Sequence, residues 1–108
     1  MPTALPYGNI SKLNLVNVTW SPASVAANTS VEQTVSVPGV VANQDFVLEV
    51  MKPTAQAGLS IAGARVSAAD TVSVLFVNST AAPIVPTASQ SYGFAIARRD
   101  GPAIGNMS

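Results

Sequence analysis

The side chains in this chain that could do chemistry are few and scattered. Its acids are Glu32, Asp45, Glu49, Asp70 and Asp100, its bases are Lys12, Lys52, Arg65, Arg98 and Arg99, and it contains neither histidine nor cysteine. General acid–base work by carboxylates needs two acids at one cleft, one of them with a raised pKa. Asp45 and Asp70 fall at turns, Asp100 at a terminal turn, and Glu32 and Glu49 within separate strands, so nothing in the sequence brings two of them together. Without Cys or His there is no thiol nucleophile, imidazole base, zinc finger or serine–histidine triad. Neither Lys12 nor Lys52 has the S-x-x-K spacing of a serine–lysine dyad. Gly58, Gly63, Gly101 and Gly105 do not build a phosphate-cradling loop. The sequence predicts a protein that is not an enzyme and takes no cofactor and no metal.

The charge pattern narrows the partners as well. Five basic residues balance five acidic ones, and only 9% of residues are charged, where globular domains carry about a quarter. Phosphate binding needs clustered cations, and the one adjacent basic pair here is Arg98-Arg99, so nucleic acid is not expected as a partner. The longest run of large apolar residues, Val74-Leu75-Phe76-Val77, is far short of the roughly 20 residues a spanning helix needs. Met1 to Leu13 has no basic residue before Lys12 and is broken by Pro2, Pro6 and Gly8, unlike a secretory signal. The expectation is a soluble chain made in the cytoplasm, with no membrane partner. Five N-x-[ST] triplets, at Asn9, Asn17, Asn28, Asn78 and Asn106, then reflect a composition rich in Asn, Ser and Thr.

Apolar residues alternate along most of the chain and nowhere follow a helical period for more than two turns, which predicts an all-β fold. Val31, Val35 and Val37 share one parity against Glu32, Thr34 and Ser36. In Asp45 to Met51, Phe46, Leu48 and Val50 form one face and Val47, Glu49 and Met51 the other. Leu59, Ile61 and Val66 indicate a strand with a bulge at Gly63, and Thr71 to Asn78 is the clearest strand. Tyr92, Phe94, Ile96 and Arg98 face away from Gly93, Ala95 and Ala97, a small-residue face suited to lying against another chain. Leu13 and Leu15 change parity to Val16, Val18 and Trp20, which a bulge near Leu15 would reconcile. Ala23 to Ala27 could make one helical turn. The Phe residues and Tyr92 all fall on core-like parities. Short strands joined by Pro-, Gly- and Ala-rich turns predict an antiparallel β-sandwich or small jelly roll of about six to eight strands. The division expected is an extended N-terminal arm over 1–12, the sandwich over 13–100 and a C-terminal tail over 101–108.

Val41-Ala-Asn-Gln-Asp45-Phe-Val47 echoes Val66-Ser-Ala-Ala-Asp70-Thr-Val72 as V-x-x-x-D-x-V. An aspartate there can accept backbone N–H bonds and hold a tight turn before a strand, so Asp45 and Asp70 read as structural turn residues. A calcium pair would need more carboxylates than this chain supplies. Arg65 reads as a solvent-facing arginine, with pairing to a carboxylate across a subunit boundary as the alternative. In the arm, Leu5, Tyr7 and Ile10 stand among prolines and glycine, more apolar side chains than a solvated tail should carry, which marks them as candidate contacts to a capsid or a sister subunit.

One resemblance adds to this reading. From Pro38 to Asp100, the pieces KPTAQAGL (Lys52 to Leu59), GARVSAADTVSV (Gly63 to Val74), FVNSTAAPIVPTA (Phe76 to Ala88) and Y-x-F-x-I-x-R (Tyr92 to Arg98) resemble a pattern common in small virion proteins of tailed bacteriophages. The resemblance implies a structural role on the capsid surface of the virion, as a decoration (cement) protein that stabilises the head shell. Its partners would be the major capsid protein or other virion proteins, and further copies of itself, with a trimer favoured because decoration proteins sit at symmetry axes. The alternative is a carbohydrate-binding or adhesion module of a head or tail fibre.

Overall fold

The computed structural model describes residues 10–99. Six strands form within that span: β1 (Ile10–Trp20), β2 (Thr29–Ser36), β3 (Asp45–Met51), β4 (Leu59–Ala68), β5 (Thr71–Asn78) and β6 (Gln90–Arg99), with no helix among the described residues. They make two antiparallel three-stranded sheets, in the orders β1-β6-β3 and β2-β5-β4. The sheets face each other as a small β-sandwich, with fewer strands than the eight of a jelly roll. Every connection except the β4–β5 hairpin crosses from one sheet to the other.

The core is laid down by the two central strands. Val72, Val74 and Phe76 of β5 meet Tyr92, Phe94 and Ile96 of β6, all of them buried. Each such side chain contributes roughly 1.5–3 kcal/mol by leaving water. Trp20 sits at the end of β1 with its ring 5.6 Å from Phe76 and 5.1 Å from Tyr92, tilted on both, so one indole joins the two sheets. The Tyr92 hydroxyl is buried with no hydrogen-bond partner, and burial pushes its pKa up.

Several strands are entered through a left-handed residue. Asn28 (φ 50°) precedes β2, Gly58 (φ 81°) β4, Asp70 (φ 58°) β5 and Ser89 (φ 57°) β6. Asn and Asp tolerate this region because their short side chains bond locally, which gives the Asn-rich composition a mechanical use. Gly58 has a second constraint. A Cβ there would lie 2.1 Å from Thr80 Cγ2, and Thr80 cannot swing away, because its hydroxyl bonds Asn78 Oδ1 at 2.7 Å and the Ala82 carbonyl at 2.8 Å.

Four expectations need correction. β1 begins at Ile10, paired with Arg99, so residues 10–12 belong to the sandwich and not to an arm. The break in β1 lies between Ile10 and Lys12; from Lys12 to Trp20 the register is continuous, and Leu13 and Leu15 remain on the outer face while Val16, Val18 and Trp20 point inward. Ala23 to Ala27 forms no helical turn, because Val25 pairs with Ile84 through two backbone bonds of 2.8 and 3.0 Å. Phe46 is not a core residue: a bulge between Val47 and Glu49 flips the parity, so Asp45, Val47 and Val50 face inward and Phe46, Glu49 and Met51 outward.

Gly58→Ala should lower stability by about 2–4 kcal/mol, from the left-handed backbone and the clash together, measured by urea unfolding. Tyr92→Phe should be neutral or raise the melting temperature, since it removes a buried hydroxyl that bonds nothing; a loss above about 1 kcal/mol would show that the hydroxyl has a partner.

Candidate functional site

The two echoed aspartates, Asp45 and Asp70, grip one connector from opposite sheets. Asp45, at the start of β3, accepts Arg98 Nε at 2.6 Å and Arg98 Nη2 at 2.8 Å, and its Oδ2 also accepts the Val41 N–H at 2.8 Å. Arg98 Nη2 reaches on to the Gly39 carbonyl at 3.0 Å. Asp70, in the β4–β5 turn, accepts the Gly39 N–H at 2.7 Å, while its backbone bonds Val40 and Val37 at 2.9 and 3.0 Å. The bends that carry the chain from β2 to β3 are thus held by one carboxylate on each side. Both oxygens of Asp45 are filled by N–H donors, the reverse of what a cation would require. The Arg98 guanidinium, followed by backbone N–H donation from Val41, holds the Asp45 carboxyl below the usual carboxylate range, although burial opposes it.

The polar residues of the segments Lys52 to Leu59 and Phe76 to Ala88 do similar work. Gln56 donates to the Val85 carbonyl at 3.0 Å and accepts the Thr87 N–H at 2.9 Å, and Thr54 bonds Gln90. Lys52 Nζ donates to the Thr54 carbonyl at 2.6 Å. Asn78 is buried and fully engaged: Nδ2 donates to the Val25 and Ala82 carbonyls, and Oδ1 accepts the Thr80 N–H and hydroxyl. KPTAQAGL and the NSTAAPIVPTA portion of the neighbouring motif are therefore two connectors stitched together.

The remaining charges are spread out. Glu32 and Arg65 pair through two bonds of 2.9 and 3.0 Å on the exposed outer face of β2-β5-β4, within one chain and not across a subunit boundary. This hydrogen bonding lowers the Glu32 pKa and raises that of Arg65. Glu49 stands on the outer face of the other sheet. No cluster of three or more possible metal-ligating residues occurs among the described residues. Leu5, Tyr7 and Asp100 lie outside the described residues, and Ile10 is the first residue of β1.

The outer face of β1-β6-β3 has a different character. Its central strand presents Gly93, Ala95 and Ala97, and its flanks present Leu13 and Leu15 from β1 and Phe46 and Met51 from β3. Leu15 is 81% exposed, Met51 57%, Leu13 47% and Phe46 41%. Gly93 lies so close under its neighbours that an added Cβ would meet Met51 Cε at 3.0 Å and Asn17 Oδ1 at 3.4 Å. The result is an apolar trough over β6 lined by Leu15, Met51, Gly93 and Ala95 with Asn17 and Glu49 beside it, and Leu13 and Phe46 continue the same face across the buried Ala97. Single exposed apolar residues are ordinary, whereas a contiguous group on one sheet face marks an interaction surface. The small residues of β6 are legible as this face, and alternation puts Met51 with Glu49 opposite the core-like Phe46; Phe46 itself is not legible there, because the bulge at Leu48 leaves no mark in the alternation. Phe46 is the exposed aromatic of the described residues, Trp20 being half-buried and Phe76, Phe94 and Tyr92 buried.

Comparison of the chain with protein-family models, with curated proteins and with solved structures finds no match.

Asp45→Asn should cost about 2–3 kcal/mol at neutral pH, because Arg98 loses the charge of its acceptor and Val41 competes for what remains. The wild-type Asp45 contribution is complete above the ordinary carboxylate pKa of 3.8, which the unfolded chain retains, and disappears as pH falls through the lower folded value. Urea midpoints between pH 2 and 6 should therefore fall less steeply at the acid end for Asp45→Asn than for the wild type.

Proposed function

We propose that this chain is a non-enzymatic structural protein of a bacteriophage virion, a decoration protein of the capsid surface that attaches to the head shell and stabilises it. The observation that carries this reading is the exposed apolar trough on the outer face of β1-β6-β3, which a two-layer fold leaves uncovered and which a second protein surface can cover. The motif resemblance supplies the setting, and the low charge suits a surface that must lose its water against a large neighbour. The partners proposed are the major capsid protein and sister copies. A carbohydrate-binding or adhesion role has less support, since sugar stacking uses clustered exposed aromatics and Phe46 is the one exposed aromatic among the described residues.

Quantitative mass spectrometry of particles made from the genome that encodes the chain tests this: a decoration protein is present at hundreds of copies per head, an adhesin at few. Phe46→Lys with Met51→Lys should change the melting transition by no more than about 0.5 kcal/mol, as exposed positions do, and should reduce the copies retained on the head at least tenfold. Full retention by a folded double variant would remove the trough from the attachment surface.

A further inference from the structure

Sheet edges offer unpaired N–H and C=O groups, and natural sandwiches guard them with bulges, prolines, charges or a covering loop. Three of the four edges here are guarded. β3 is bulged at Leu48 and runs beside β4, and β4 is bulged at Ala62 and at Ser67. β2 has the connector after β1 held against it, through the Gln33 amide, which accepts the Ala23 N–H at 2.6 Å and donates to the Ala23 carbonyl at 2.8 Å. β1 is different. From Lys12 to Trp20 it pairs, among the described residues, only with β6, in unbroken register, with no proline and a single charge at Lys12; its bulge lies before this stretch, between Ile10 and Lys12.

We propose that β1 pairs antiparallel with the β1 strand of a second copy across a two-fold axis at Leu15. This extends the assembly reading given above, on which it rests, by naming the partner at this edge. The strand's single charge does not meet its own copy: with the axis at Leu15, Lys12 lies opposite Val18 and the two lysines stand six residues apart along the ladder, about 20 Å. With the axis at Leu15 the unbroken segment Lys12 to Val18 faces its own copy, and the bulge between Ile10 and Lys12 falls beyond it. Leu15, the most exposed large apolar side chain of the described residues, gains its counterpart as a direct cross-strand neighbour. The paired edges join two apolar troughs into one face of six strands, doubling the surface offered to a shell. The overlap from Lys12 to Val18 is about 24 Å long and one sheet thick, some 250–300 Å² per partner, well short of the roughly 800 Å² of a standard stable interface. Dissociation in the micromolar range follows, with tighter association once both copies share a common surface.

The absence of cysteine allows a direct test on the purified full chain, without particles. Single variants Leu13→Cys, Leu15→Cys, Asn17→Cys and Ala95→Cys are oxidised at 1 to 200 µM and run on a non-reducing gel. A disulfide needs Cα atoms within about 7 Å, and with the axis at Leu15 the two copies of residue 13, or of residue 17, stand about 14 Å apart. Leu15→Cys should cross-link with concentration, and the other three should not. Leu15→Lys, at an exposed position, should keep the wild-type melting transition and sediment as monomer where wild type sediments as dimer. Cross-linking of Ala95→Cys would mean the sheets stack face to face, cross-linking of Asn17→Cys or Leu13→Cys would mean another register, and no cross-linking with a monomeric or trimeric wild type would mean no two-fold edge; each overturns the proposal. Because particle retention is read separately on the β3 flank, failure of the edge pairing and failure of the virion reading are told apart.

Discussion

Everything in this molecule hangs on the contact between two strands. β5 and β6 are the only central strands among those described, and their inward rows, Val72-Val74-Phe76 and Tyr92-Phe94-Ile96, make up most of the buried interior. With three strands per sheet, a side chain on an outer strand already lies near solvent, which is why Val16, Val18, Val47, Val50, Leu59 and Ile61 are only partly buried. The core is one layer thick and two strands wide at full depth. Such a core tolerates little loss, and the fold compensates with polar ties at its ends: the Asp45–Arg98 clamp, the Asp70 turn and the Asn78 network. These ties are made mostly by short side chains to backbone, the kind of bond available to a chain with few charges.

The same economy accounts for the character of the surface. A two-layer sandwich can bury one face of each sheet, and the outer faces must be either polar or covered. The β2-β5-β4 sheet takes mostly the first course, with Ser30, Thr34, Ser36, Ser60 and the Glu32–Arg65 pair around the half-buried Leu75 and Val77 of its central strand. The β1-β6-β3 sheet does not, and among the described residues its Leu13, Leu15, Phe46 and Met51 stay exposed. The contrast between the two outer faces is the strongest functional statement the molecule makes about itself.

Most of the strand layout is readable from alternation. Asp45 to Met51 and Thr71 to Asn78 match their strands residue for residue, and the change of parity between Ile61 and Val66 signals a bulge, which falls at Ala62, one residue before the expected Gly63. What alternation cannot convey is a bulge with no glycine to mark it. Leu48 is such a residue, and missing it placed Phe46 in the core instead of on the surface. Pairings between distant polar groups are equally hidden. Asp45 and Asp70 could be read as turn residues from their position before strands, but the choice of Arg98 as partner, 53 residues away, depends on register between β3 and β6. For the same reason Glu32 and Arg65, on strands separated by β5, meet without any sequence signal.

The strand order also bears on how the chain comes into being. β1 is the first of the described strands to be made, yet among them it bonds only to β6, the last, and β3 likewise waits for β6. The hairpin of β4 and β5 can close early, and β2 can join it, while the other sheet has no central strand until residues 90–99 have left the ribosome. Half of the sandwich therefore exists as unpaired, apolar extended segments throughout synthesis. Ladders closed over such long separations form slowly, so a newly made chain passes through a period in which its aggregation hazard is highest, and chaperone occupancy on the nascent polypeptide should centre on the β1 segment.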